Sequence, residues 1–186
     1  MAVDCETTGL NLRKDEIITI AAIPIRGERI LTSERFEALA KTNRKSAHEA
    51  IKVHGILDRD LQHGRPMRDI LPDLLHFIGS RPIVGYYTDF DVGMIDRYLV
   101  HFLRIHLPNK RVDISSMYYR CKYGGAPDYV AIDLSFTSIL DDLGIPKLAQ
   151  HDAGNDALMT AMIYLQLRDM LQRGVRIPRT PAGANP

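Results

Sequence analysis

Two acidic residues near the start of the chain are the first that could do chemistry together. Asp4 and Glu6 stand two positions apart, directly after the apolar residues Ala2 and Val3. The apolar neighbours predict a buried strand, and side chains two apart on a strand point to the same face. Two ionised carboxylates there repel each other and are costly to desolvate, whereas a divalent cation would remove both penalties. Such a cation would need further ligands from elsewhere in the chain.

Two further polar clusters interrupt otherwise apolar segments. Asp89 and Asp91 stand where a short strand is expected to turn into a helix. The segment HDAGND, which contains His151 and Asp156, stands where a loop enters the last predicted helix. Because sheets of α/β proteins present ligands at the ends of their elements, these clusters are candidates to supply the missing ligands.

The combined set indicates a metal-dependent reaction at a phosphate ester. Carboxylates are ligands that suit Mg²⁺ or Mn²⁺ rather than zinc. Two such ions can stabilise the attacking and leaving oxygens of a phosphodiester displacement. The attacking water must also lose a proton, and His151 could accept it because histidine titrates near neutral pH.

Each cluster alone also has a simpler explanation. An Asp-x-Glu pair is common on exposed edge strands. Asp89 or Asp91 could be a helix N-cap, and Asp152 or Asn155 could cap the last helix in the same way. A loop histidine such as His151 is most often solvated, so only the joint pattern favours metal chemistry.

Apolar periodicity predicts the elements that position these residues. Strands are expected over the segment MAVDCE, over Glu16–Ile25, over residues 29–40 after a turn at residues 26–28, and briefly at residues 82–85 and 112–114. The first three are expected to be antiparallel. Helices are predicted over residues 66–78, 91–106, 114–123, 134–143 and 155–171. The fold class is therefore α/β, with a mixed sheet flanked by helices.

Bulk properties are those of an ordinary globular chain. Its 186 residues suit one domain, expected over residues 1–173, with a flexible tail that contains arginine and proline over residues 174–186. The formal net charge of +1 gives no strong basic footprint for nucleic acid. Two cysteines and no long apolar run favour a reduced, cytoplasmic location with no membrane partner.

Three segments together resemble a known family. DCETTG, VGYYTDFDVGMIDRYL and HDAGNDALMTA are similar to the three motifs of the DEDDh 3′–5′ exonucleases, which include the proofreading epsilon subunit of bacterial DNA polymerase III and RNase T. The segment IKVHGI is similar to a further element of that family. The resemblance runs from about Ala2 to Leu167, and the motifs are specific in combination rather than singly.

The resemblance implies a ribonuclease-H-like fold and a role for each matched residue. The residues that match the ligands of two Mg²⁺ or Mn²⁺ ions are Asp4, Glu6, Asp91 and Asp156. His151 matches the general base. The residues that match those near the substrate are Thr7, Thr8, Gly9, Leu10 and His54. The implied substrate is the 3′ end of single-stranded DNA or RNA, with a polymerase as a partner in trans.

The chain departs from the family pattern at two positions. Many relatives have His-Asn in the second motif where this chain has Tyr86 and Tyr87. The departure removes no metal ligand. The residues alone favour two tyrosines that fill core and rim space, because burial of aromatic area needs no partner. The alternative is that one of them stacks on a base.

Two other functions remain open from the sequence. A non-catalytic module that binds nucleic acid or protein could use the same fold, although it would not need all four carboxylates and the histidine. A metal-dependent phosphatase that acts on small phosphate esters could also use paired acidic residues. Release of inorganic phosphate rather than nucleoside monophosphate would identify the phosphatase.

Overall fold

The computed structural model describes residues 1–43, 47, 50–51, 55–57, 60–125 and 130–178. The strands are β1 Ala2–Thr7, β2 Ile17–Ile23, β3 Ile25–Arg26, β4 Arg29–Ile30, β5 Phe36–Leu39, β6 Ile83–Gly85 and β7 Arg111–Asp113. The helices are α1 Met67–Ile78, α2 Asp89–Leu103, α3 Ile114–Lys122, α4 Phe136–Leu143 and α5 Ala153–Arg173. Short 3₁₀ turns span Thr32–Glu34 and Asp60–His63.

Five of the strands form one mixed sheet in the order β5-β2-β1-β6-β7. β1 pairs antiparallel with β2, and β2 pairs antiparallel with β5. On its other side β1 lies parallel to β6, which in turn is parallel to β7. The predicted mixed sheet, with three antiparallel strands at one side, is confirmed.

The prediction of one continuous returning strand over residues 29–40 is wrong. β4 pairs only with β3, in a two-residue hairpin that turns at Gly27 with a φ of 62°. The exposed polar residues Thr32, Ser33 and Glu34 then form a 3₁₀ turn, and none of them is buried against the sheet. The chain rejoins the sheet only at β5.

The two faces of β1 meet different helices. Val3 and Cys5 belong to a core that contains residues of α1 and α2, such as Ile70 and Ile95. Asp4 and Glu6 alternate with them and therefore point to the opposite face. α5 packs against β1 and β2, with Ala153 and Ala157 contacting Ala21 and Ile23 of β2. The strand thus directs its two carboxylates towards the helix that begins just after His151.

The chain remains packed beyond the end of α5. Gly174 adopts a left-handed φ of 68° and ends that helix. Ile177 is buried, and its backbone N–H donates to the carbonyl of Cys121 at 3.2 Å. The rest of the predicted tail, residues 179–186, lies outside the described residues, so the expected division at residue 173 stays a prediction. Among the described helices, none has both the length and the apolarity to cross a membrane.

Candidate active site

The first pair of carboxylates lies on the middle strand of the sheet. Asp4 faces Ala21 and Glu6 faces Thr19 in the register with β2. The pairing shifts between Glu6 and Thr7, so β1 leaves its regular ladder directly after the second carboxylate. The regular pairing of β1 with β2 therefore breaks next to Glu6, before the loop that connects the two strands.

The third carboxylate comes from α2 and reaches back to β1. Asp91 is only 5% exposed, and its Oδ1 accepts the backbone N–H of Cys5 at 3.1 Å. Cys5 lies between Asp4 and Glu6, so this hydrogen bond fixes Asp91 beside both of them. The alternative prediction that Asp91 is an N-cap is not supported, because Thr88 occupies that position and Asp91 lies inside the first turn.

The fourth carboxylate and the histidine are joined at the start of α5. Asp152 caps this helix and accepts the N–H of Asn155 at 2.9 Å, as predicted for that residue. The backbone N–H of His151 donates to Oδ2 of Asp156 at 2.8 Å. His151 has a left-handed φ of 63°, an uncommon conformation for a residue with a side chain. The same residue thus brings its backbone N–H and its imidazole close to the Asp156 carboxylate.

Three of these groups lie within the reach of one cation in the described part of the chain. Glu6, His151 and Asp156 each offer an atom that lies within 4.8 Å of those of the other two. Oδ1 of Asp156 is buried and has no hydrogen-bond partner among the described residues. A buried oxygen without a donor is costly unless something binds it, so its environment fits a cation.

Burial and the proximity of like charges both act on the carboxylates of the site. Burial, followed by the charges of Asp91, Asp156 and Glu6, raises the pKa of Asp4 well above its usual range. Burial, followed by the charges of Asp156 and Asp152, raises the pKa of Glu6 to about 7. Burial also raises the pKa of Asp91 and of Asp156, although the hydrogen bonds from Cys5 and His151 oppose it. Positive charge brought among these groups would favour their ionised forms.

Of the residues predicted to contact the substrate, two line the cleft. Thr7 and Leu10 contribute to the same cleft as the carboxylates, and Leu10 is 84% exposed. Thr8 is instead buried, and its Oγ1 accepts the N–H of Glu16 at 3.0 Å. Gly9 shapes the loop, because a Cβ there would lie 2.6 Å from Oδ2 of Asp15. His54 lies outside the described residues.

The cleft also has an apolar side, of which the sequence indicated only Leu10 and the two tyrosines. Its volume is about 390 Å³, and the aromatic residues that line it are Tyr86, Tyr87, Phe90 and Phe136. Phe90 stands beside Asp91 in the second motif and could have been inferred from that neighbour. Phe136 begins α4, far from every motif, so its place in the cleft follows only from the fold.

The chain is similar to known exonucleases and to bacterial DNA polymerase III proteins. A model of the RNase T family, described as an exonuclease, matches residues 1–164. The PolC-type DNA polymerase III of Thermotoga maritima is 25% identical over 174 residues, which cover 93% of this chain and 12% of that protein. The chain thus spans about an eighth of the length of this relative.

One further relative and one solved structure match over most of their own length. The epsilon subunit of DNA polymerase III from Aquifex aeolicus is 25% identical over 171 residues, which cover 92% of this chain and 81% of that protein. The structure of exonuclease X in complex with 5′-overhanging duplex DNA superposes with a TM-score of 0.70 at 19% identity, over 95% of this chain and 93% of that one. The second likeness shows that the fold is shared.

Proposed function

The chain belongs to the RNase T exonuclease family, and we propose that it is a metal-dependent 3′–5′ exonuclease that releases nucleoside 5′-monophosphates. The observation that carries this proposal is the convergence of residues from three distant segments on one cleft. Carboxylates of β1, α2 and α5 meet there beside an imidazole. All five residues that match the DEDDh motifs line this cleft, which supports the proposal.

The residues proposed to hold two Mg²⁺ or Mn²⁺ ions are Asp4, Glu6, Asp91 and Asp156. The unpartnered Oδ1 of Asp156 and the raised pKa of Glu6 both support a cation among them. When bound, two such ions would stabilise the attacking and leaving oxygens of a phosphodiester. The N–H of Cys5 donates to Oδ1 of Asp91 and so orients this carboxylate towards β1.

His151 is proposed to accept the proton of the attacking water at a ring nitrogen. Its backbone is fixed by the hydrogen bond to Asp156, while its side chain is exposed to the cleft. An imidazole suits proton transfer at neutral pH, and a general base must lie within hydrogen-bond reach of its water. A ring nitrogen of His151 lies within 4.8 Å of carboxylate oxygens of Glu6 and Asp156.

The apolar side of the cleft supports a nucleotide rather than a small phosphate ester as substrate. Leu10, Phe90 and Phe136 offer apolar area beside the charged residues. A nucleotide has a phosphate for the charged side and a base for the apolar side. The likeness to exonuclease X in complex with DNA supports DNA as the first substrate to test. The similarity to a DNA polymerase III epsilon subunit supports a polymerase as the partner in trans.

The test is digestion of 5′-labelled single-stranded DNA and RNA of matched sequence with Mg²⁺ or Mn²⁺. We expect products shortened from the 3′ end, with nucleoside 5′-monophosphates released and no reaction in EDTA. The variant Asp4→Asn should be inactive, and Asp73→Asn, on the exposed face of α1, is its control. Release of inorganic phosphate would instead identify a phosphatase. Binding of the strand without any cleavage would identify a non-catalytic module.

A further inference from the structure

The two tyrosines of the second motif have separate environments. The ring of Tyr86 lies 5.0 Å from that of Phe136, and its hydroxyl donates to the carbonyl of Leu134 at 3.0 Å. Tyr87 is 51% exposed although it follows directly in the chain. The interpretation that both tyrosines fill space therefore suits Tyr86, whereas the exposed Tyr87 fits the alternative that one of them stacks on a base.

The backbone of Tyr87 adopts a conformation that a tyrosine rarely takes. Its φ is 48°, in the left-handed region where asparagine and glycine are favoured and a bulky side chain is an outlier. The neighbouring chain fixes this conformation. The N–H of Thr88 donates to Oδ2 of Asp113 at 3.1 Å, and the hydroxyl of Thr88 donates to the carbonyl of Val112 at 3.1 Å. A strained residue held by its surroundings at a site suggests a use for its side chain.

That side chain lines the cleft on its apolar side. The Tyr87 ring lies 4.5 Å from the Tyr86 ring, at an interplanar angle of 52°. Tyr86 is itself anchored at Leu134 and Phe136, so it supports the Tyr87 ring from behind. Leu10, which is highly exposed, lines the same cleft. An exposed aromatic ring with a fixed support, beside a charged site for phosphate, suits a planar nucleobase.

We propose that Tyr87 is a stacking platform for a nucleobase within the last two nucleotides of the strand. The inference rests on the proposed function, since the carboxylates proposed to hold the scissile phosphate line the same cleft as Tyr87. Stacking on an aromatic face tolerates every base, so Tyr87 would strengthen binding without selecting sequence. Tyr87 acts on the base and takes no part in the proton transfer assigned to His151.

The test compares Tyr87→Asn with Tyr87→Phe. Asparagine removes the ring and suits the left-handed backbone, whereas phenylalanine keeps the ring. Binding is measured by fluorescence anisotropy in Mn²⁺, with a labelled strand whose terminal linkages are non-hydrolysable. We expect Tyr87→Asn to weaken binding by about 5- to 150-fold, which corresponds to about 1–3 kcal/mol, and Tyr87→Phe to bind like the parent. The thermal midpoint of Tyr87→Asn should equal or exceed that of the parent.

A second strand, abasic at its last two positions, separates stacking from a structural effect. The parent and Tyr87→Asn should bind this strand equally. The inference is overturned if Tyr87→Asn loses the same affinity for both strands, or if it binds the intact strand as tightly as the parent does. It is also overturned if the parent does not bind the intact strand. This binding assay needs no cleavage. If the parent protein binds DNA but does not digest it, the proposed exonuclease function is contradicted. The binding of the Tyr87 variants still decides whether Tyr87 stacks on a base.

Discussion

Replacement of Glu6 by glutamine is expected to stabilise the metal-free protein while it abolishes activity. Burial and the charges of Asp156 and Asp152 raise the pKa of Glu6 from 4.5 to about 7. The folded protein therefore binds a proton at Glu6 more tightly than the unfolded chain does. Ionisation of Glu6 therefore lowers the free energy of unfolding very little below about pH 4.5. The loss grows as the pH rises and is complete above about pH 7. Glutamine carries no charge at any of these pH values.

The size of the effect follows from that difference in pKa. The rise in the pKa of Glu6 from 4.5 to about 7 corresponds to a loss of about 3 kcal/mol in the free energy of unfolding at pH 8. Glu6 is only half-buried, and solvent screens its exposed side, so we expect a gain of about 1–2 kcal/mol in the free energy of unfolding. For a domain of this size, about 2–4 °C in Tm accompanies each kcal/mol, which predicts a rise of about 2–8 °C.

The assay is thermal unfolding in EDTA at pH 5 and pH 8. The rise in Tm of Glu6→Gln over the parent should be larger at pH 8 and fall to a small fraction of that value at pH 5. The control is Glu28→Gln, an exposed acid in the turn between β3 and β4, which should change Tm little at either pH. Added Mn²⁺ should raise the Tm of the parent more than that of Glu6→Gln. An unchanged or lower Tm for Glu6→Gln at pH 8, or a gain independent of pH, would refute the electrostatic reasoning.

Three further predictions concern the residues that support the site. His151→Ala should lower kcat by about 100- to 10,000-fold and leave Mn²⁺ binding by calorimetry unchanged, whereas the exposed His76→Ala should behave like the parent. Gly9→Ala forces a Cβ to 2.6 Å from Oδ2 of Asp15, so the displaced loop should raise KM about 10- to 100-fold, and a parental KM would contradict this. Asp113→Ala removes the acceptor for the N–H groups of Ser115 and Thr88, so chemical denaturation should show a loss of about 2 kcal/mol.

The sequence predicted the elements whose pattern is set by local burial. Ile17–Ile23 is almost wholly apolar and became the buried strand β2. Helix α1 begins one residue after the predicted start and ends at the predicted residue, because Gly79 follows with a φ of 55°. The returning strand was wrong because pairing depends on partners distant in sequence. Residues 29–30 find theirs in β3, whereas residues 36–39 find theirs in β2.

The candidate site shows the same division between local and distant causes. The spacing of Asp4 and Glu6 predicted a shared face, and the structure confirms that alternation along β1. The hydrogen bond between Asp91 and Cys5 spans 86 positions in the chain and has no local signal. The different environments of Tyr86 and Tyr87 likewise depend on Phe136 and Asp113, which belong to other elements. The sequence therefore indicated the reactive side chains, whereas the residues that hold them in place follow only from tertiary contacts.

The most direct test of the proposed metal site is anomalous diffraction from crystals of the protein soaked in Mn²⁺. We expect two manganese peaks about 3.5–4 Å apart, bound by the carboxylates of Asp4, Glu6, Asp91 and Asp156, with the His151 ring beside them. Manganese bound only at other surfaces, or four carboxylates that stay free of metal at millimolar Mn²⁺, would contradict it.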